Sequence, residues 1–176
     1  LNREEEVNKQ KERITINILK NTFKLLHPMV GGSIIGRVIA KESKEDYNQF
    51  RKPPFSPPTK AFPIVWPILY VLMGVSYLLT TKNNEQTTKI KVTHYSQLAL
   101  NYLWSILYFK KKVRGIAFIE SMMLFISVVV NTISMFKIHR IAGLLQIPYV
   151  MWSAFASYLN AGNYFLNKDN PNYKKQ

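Results

Sequence analysis

Trp66, Tyr70, Met73 and Tyr77 follow one another at steps of four, three and four. On a helix that spacing gathers an indole, two phenols and a thioether on one face. Gln97, Asn101, Ser105 and Tyr108 make a second stripe, with Trp104 beside it. Glu120, Ser127, Asn131 and Ser134 make a third. Tyr149, Trp152, Ala156 and Asn160 make a fourth, with Asn163 just beyond. Flat rings beside a few amides and hydroxyls suit a planar apolar ligand with polar edges. The amides suit interhelical packing as well, where they hold helices together. Bond-making chemistry finds no support. There is no Cys, so no thiol nucleophile, disulfide or thiolate metal site, and the three histidines His27, His94 and His139 are scattered. No catalytic residue, no metal site and no resident cofactor are expected.

These stripes sit in long uncharged runs. Residues 61–80 and 141–167 carry no charge, 92–109 none apart from His94, and 115–136 only Glu120. Each is near the roughly 20 residues that a helix needs to cross a bilayer core. A soluble helix of such length would show charges on one face. Short basic clusters separate the runs: Lys82 to Lys91, Lys110 to Arg114, Lys137 to Arg140. Residues 14–39 add a fifth segment whose Lys20, Lys24 and Arg37 can snorkel to the interfaces. An interfacial helix is the alternative for that segment. Gly31, Gly32 and Gly36 favour a span, through close helix contact. The reading is an all-α integral membrane protein, a five-transmembrane-helix bundle, over residues 14–167. A charged disordered tail is expected at 1–13 and a basic tail at 168–176, with the two termini on opposite sides of the membrane.

The chain has 24 Lys+Arg against 10 Asp+Glu, a formal net charge of +14. The cations lie in short loops at membrane edges, where anionic lipid attracts them, so the charge does not argue for nucleic acid. Their distribution leans toward a cytoplasmic first loop and C-terminus. No signal peptide is expected at the start. The longest connection, residues 40–60, contains Pro53, Pro54, Pro57 and Pro58 and is therefore stiff and non-helical at its centre. Such a loop is a lid, or a spacer without a task.

Lys52-Pro53-Pro54-Phe55-Ser56-Pro57-Pro58, then Phe62-Pro63-Ile64-Val65-Trp66, Leu69-Tyr70 and Met73-Gly74, resembles the translocator protein family (TspO, or peripheral benzodiazepine receptor) and its pattern KPxWxPPxWxFPxVWxxLYxxMG. Two further stretches are similar: Gln97 to Trp104 (QLALNYLW), and Pro148-Tyr149 with Trp152, Phe155-Ala156, Leu159-Asn160 and Leu166-Asn167. The family's two loop tryptophans are replaced by Phe55 and Lys60. The resemblance implies a five-helix bundle, often dimeric, in a bacterial cell membrane or, in a eukaryote, the mitochondrial outer membrane. It implies a pocket under the first loop for porphyrins, sterols or benzodiazepine-type ligands. Trp66 and Trp152 match pocket tryptophans, and Tyr47 matches an aromatic that helps close the lid. Some relatives degrade protoporphyrin in light through such tryptophans, so that activity stays open. Leu159, Tyr164 and Lys168 fit a loose sterol pattern, but the family's motif tyrosines fall at Ala161 and Gly162 and imply no sterol specificity.

The candidate ligand-binding residues are Trp66, Trp152, Tyr70, Phe55, Trp104, Asn101, Glu120, Ala156 and Tyr149. Phe55 is expected as a hydrophobic plug in the lid, and Trp66 and Trp152 are expected to matter more than Trp104. Glu120 lies about 7–8 Å of helix rise beyond Gly115. It is expected near an interface, paired with Arg114 or Lys110 or protonated. The function read from this is binding of a porphyrin or related tetrapyrrole, with transport or a sensing and regulatory role downstream. The alternative is a small proton-coupled multidrug or cation exporter using Glu120. Expected partners are a hydrophobic small molecule, membrane lipid and a second copy in a homodimer.

Overall fold

The computed structural model describes residues 3–82 and 87–173. Five helices follow in order: α1 (Arg3–Gln49), α2 (Phe62–Thr81), α3 (Thr87–Ser105), α4 (Arg114–Phe136) and α5 (Arg140–Asn167). A 3-10 turn at Thr59–Ala61 leads into α2, and α3 runs on into a π turn at Ile106–Lys110. α4 packs along α5 and α3, α1 along α2, and α2 along α5.

Charge and apolarity are inverted relative to a water-soluble bundle. Gln97, Asn101, Asn131, Gln146 and Ser153 are buried, while Ile116, Ile119, Met123, Ile126 and Ile133 form an exposed face on α4. Polar side chains turn inward and branched aliphatics outward when the surrounding solvent is hydrocarbon. Thr59–Thr81 and Arg114–Phe136 are by themselves long and apolar enough to cross a membrane. α3 and α5 carry polar inner stripes that dilute their apolar content.

α1 extends further than its sequence suggests. Its 47 residues span ~70 Å at ~1.5 Å per residue, more than twice a ~30 Å hydrocarbon core. The charged residues 3–13, read above as disordered, are its first turns. Glu4, Glu5 and Glu6 sit in the first turn, where the helix dipole favours acids, and Glu5 faces Lys9 at i, i+4. At the other end α1 continues to Gln49, so the connection read as 40–60 shrinks to a short irregular loop before α2.

The glycines of α1 also behave differently from expectation. A Cβ at Gly31 would meet the Tyr102 ring, one at Gly32 the Tyr70 ring, and one at Gly36 nothing. Gly31 and Gly32 seat aromatic rings, and none of the three brings two backbones together. The backbone approach is made by Gly74 of α2, where a Cβ would overlap the carbonyl oxygen of Leu25. Pro28 cannot donate to the Lys24 carbonyl one turn back. His27 Nδ1 lies 3.1 Å from that oxygen and 3.1 Å from the Phe23 oxygen.

Candidate functional site

The loop after α1 is pinned to α5 by its own backbone. The Arg51 N–H donates to Asn167 Oδ1 (2.9 Å), and the Arg51 carbonyl accepts from Asn167 Nδ2 (2.9 Å) and Asn163 Nδ2 (3.0 Å). Asn163 and Asn167 lie one helical turn apart, so α5 presents both amides to the backbone of one residue. Pro53 is buried against Gly162, where a Cβ would stand 2.5 Å from Pro53 Cβ. Tyr158 donates to the Pro54 carbonyl (3.1 Å), and Tyr47 donates to the Pro57 carbonyl. Burial pushes the Tyr47 phenol pKa up, so it stays a donor. Lys52 lies over the Tyr47 ring, 4.3 Å from its centroid.

Beneath this roof is a cavity of ≈ 90 Å³. Phe62, Trp104, Ala156 and Leu159 form its apolar wall, and Asp46, Lys52 and Asn163 are among the polar residues lining it. It lies between α1, α2, α3 and α5, covered by the loop. Two buried polar atoms of its lining residues, Trp104 Nε1 and Asn160 Oδ1, have no hydrogen-bond partner among the described residues. Asn160 Nδ2 is occupied, donating to the Ala117 carbonyl at 3.1 Å.

The structure divides the nine candidate residues. Trp104 and Ala156 line the cavity itself. Trp66, Trp152, Tyr70, Tyr149 and Asn101 form an adjoining aromatic cluster. The Trp66 and Trp152 rings meet edge to face at 6.3 Å, Trp66 stacks on Tyr70 at 5.5 Å, and Phe62 links Trp152 to the cavity wall at 6.0 Å. Asn101 joins three helices: it accepts from Tyr70 (2.8 Å) and donates to Tyr149 (3.0 Å). That geometry is interhelical glue. Phe55 belongs to neither group. It has φ 62° and is 89% exposed at the tip of the loop, pointing away from the cavity that the sequence expects it to plug. A non-glycine residue in the left-handed region marks a sharp reversal, which throws the side chain outward.

Glu120 is buried on α4, and neither carboxylate oxygen has a partner among the described residues. The cations expected to pair with it go elsewhere. Arg114 donates from Nη2 to Asp46 (2.6 Å) and from Nη1 to the Tyr173 carbonyl (2.9 Å). Lys110 pairs with Glu42 at 2.5 Å, and that hydrogen bond holds the Glu42 carboxyl below its usual pKa range. Asp46, Phe62 and Tyr173 are not among the candidates that the sequence offers. Asp46 sits within a charged run that reads as solvated helix, and its partner Arg114 is far away in the chain. Phe62 lies within the matched loop-to-helix motif, in the shadow of the more conspicuous Trp66. Tyr173 lies among polar tail residues with no periodicity.

The TspO/MBR family model matches residues 25–165. The tryptophan-rich protein TspO of Archaeoglobus fulgidus is 33% identical over 153 residues, covering 86% of this chain and 99% of that protein. The translocator protein of Homo sapiens is 29% identical over 153 residues, covering 85% and 89%. The tryptophan-rich sensory protein of Cereibacter sphaeroides is 30% identical over 127 residues, covering 72% and 80%. With three tryptophans, a proline-stiffened loop over a cavity and five helices that turn polar groups inward, the chain belongs to the TspO/MBR family of integral, five-helix membrane proteins.

Proposed function

We propose that the cavity under the loop is the binding site for a planar, largely apolar ligand of the porphyrin class, and that transport or sensing follows from its occupancy. The observation that carries this reading is the apolar wall of Phe62, Trp104, Ala156 and Leu159, with Lys52 beside it. A macrocycle can lie against the indole in an offset stack, a contact worth ~0.5–1.5 kcal/mol beyond area burial. Its edge carboxylates reach a cation through charge-assisted hydrogen bonds. Lys52 lines the cavity, and Arg51 and Lys60 are exposed on the same loop. Relatives carry names that speak of sensing and of translocation. The cavity of ≈ 90 Å³ is well below the ~300–1,000 Å³ of ligand sites in general. The loop must therefore lift for a macrocycle to enter, which makes it a lid. The Trp66–Trp152 cluster then lies next in line beyond Phe62.

Protoporphyrin titrated into the purified protein, followed by tryptophan fluorescence, tests the reading. Saturable quenching is expected in the parent and much weaker quenching when Ala156→Trp fills the cavity. Equal affinity in both would move the site elsewhere.

A second reading, proton-coupled export of a cation, is favoured by Glu120, a buried acid without a partner among the described residues. Under that reading Glu120→Gln abolishes pH-dependent cation efflux from proteoliposomes and leaves protoporphyrin affinity intact. Unchanged efflux would remove it.

A further inference from the structure

The family match ends at residue 165, eight residues before the most enclosed side chain of the C-terminal segment. Beyond α5 the chain does not run off into solvent. Two successive turns reverse it: the Asn170 N–H donates to the Asn167 carbonyl (2.9 Å) and the Tyr173 N–H to the Asn170 carbonyl (3.0 Å). The Asn170 side chain accepts from the Asn172 N–H at 3.0 Å, a local turn that Asn and the following Pro171 favour. The reversal brings Tyr173 back against the bundle, where it is 0% exposed.

Tyr173 meets the mouth of the cavity at three points. Its hydroxyl donates to Asn163 Oδ1 at 2.7 Å, an oxygen that also accepts from Tyr108 at 2.6 Å. Its carbonyl accepts from Arg114, and its ring lies 4.2 Å from the Arg114 guanidinium carbon. Its ring edge packs on Phe50 at 4.9 Å, the first residue of the loop. Asn163 holds the loop backbone at Arg51, and Arg114 holds Asp46. Asn163 and Asp46 both line the cavity. Tyr173 thus ties together α4, α5 and the start of the loop, and reaches the end of α1 through Arg114.

We propose that Tyr173 is a positioning residue for the cavity mouth: docked, it keeps the loop seated over the cavity, and its release widens the way in for a ligand. The proposal rests on the reading of the cavity as a ligand site, but it concerns access and not the ligand. With Tyr173 undocked, Asn163 loses one of its two donors and Arg114 a carbonyl and a ring, so one of the holds on Arg51 and the hold on Asp46 loosen, while Asn167 still grips Arg51. The lid then opens by a local event at the tail, without separating the helices.

The chain contains no Cys, so one can be introduced as the sole label site. Ala156→Cys places a thiol in the cavity, and Ser76→Cys, at a position with 0% exposure on α2, places a control thiol in the core. Labelling by a small membrane-permeant maleimide is followed on purified protein in nanodiscs. Tyr173→Ala is expected to speed labelling of the cavity thiol about tenfold and to leave the control thiol unchanged. Tyr173→Phe keeps the ring and loses only the hydroxyl bond, so a rise of about two- to fivefold is expected. An unchanged rate at the cavity thiol overturns the proposal. So does a parallel rise at the control thiol, which would mean general loosening of the bundle. If Tyr173→Ala does not fold, Tyr173→Phe decides alone, and an unchanged rate again overturns it. A protein that fails to bind protoporphyrin but shows the expected labelling pattern would lose the ligand reading and keep the gate.

Discussion

The two ends of the bundle use the same kinds of residue and reach opposite results. At the end away from the loop, His27 of α1, Tyr77 of α2 and His94 and Tyr95 of α3 meet as a stack. Tyr77 lies face to face with His94 at 4.2 Å, and the two imidazole Nε2 atoms are 3.1 Å apart. His27 Nδ1 faces only carbonyl oxygens and so carries its proton. Its Nε2 therefore accepts from His94. Lys24 caps the cluster by donating to the Thr81 carbonyl at 3.2 Å, one of the last unpaired carbonyls of α2. Rings from three helices pack directly on one another there. At the loop end the roof is irregular chain, held by side-chain hydrogen bonds to its carbonyls, and a void remains under it. A cavity arises here where packing is made by a loop held through polar anchors, and not where it is made by ring against ring.

The largest expected effect is at the loop end. Arg114→Ala removes the 2.6 Å partner of the buried Asp46 and leaves it only Lys112 at 4.0 Å, which costs up to about 3–5 kcal/mol, the scale for a broken buried pair. The thermal midpoint in detergent should fall steeply, and protoporphyrin affinity should fall with it, because Asp46 lines the cavity. A midpoint close to the parent's would mean that Lys112 or water compensates Asp46 and that the Arg114–Asp46 pair does not hold the loop end.

At the closed end, Tyr77→Ala removes a ring that is 2% exposed. Large-to-small changes of this kind cost about 3 kcal/mol or more. Protoporphyrin affinity should stay at the parental value, since the cluster is far from the loop. A loss of affinity equal to that in Arg114→Ala would erase the distinction between the two ends.

Much of this architecture is legible in the residues. The four uncharged runs become α2 to α5 within a few positions of their expected ends, because a bilayer demands unbroken apolarity and leaves a plain signature. The inward polar stripes are legible for the same reason, and so is the contact of Tyr47 with the loop, which spans only ten residues. Pairings across long stretches of chain are not legible: Arg114 with Asp46, Asn167 with Arg51, and Tyr173 with Asn163 after a reversal that no periodicity announces. Nearness in sequence assigns Arg114 or Lys110 to Glu120, yet both cations are taken by acids on α1. Position in a motif makes Phe55 a plug, and its positive φ turns it away.

The tryptophans carry the next test of the loop end. The family resemblance ranks Trp66 and Trp152 above Trp104, but it is Trp104 that lines the closed cavity, while the other two pack on each other beside it. Trp104→Ala should weaken protoporphyrin binding by about 1–3 kcal/mol, roughly five- to a hundredfold. Trp66→Ala and Trp152→Ala should cost less if the ligand stays beneath the loop, and as much if it sinks to the deeper cluster. Quenching titrations of the three variants separate those depths. Equal affinity in all three and the parent would leave no tryptophan in the site.

The smallest expected effect concerns the tail, and it is read by pH. Burial pushes the Tyr173 phenol up to about 12 from its ordinary 10.0. The docked tail therefore holds its proton more tightly than a released one. Below about pH 10 the phenol is neutral in both states, and the docking contribution is complete. As pH rises from there toward 12 the released tail ionises first, and the docking contribution is progressively lost. The phenolate cannot donate to Asn163, so the hydroxyl bond is lost as the proton leaves. A difference absorbance titration between the parent and Tyr173→Phe isolates this one tyrosine. A midpoint near 12 is expected. A midpoint near 10 would mean that Tyr173 is free in solution, and the loop end would then be held by Arg114 and the asparagines of α5 alone.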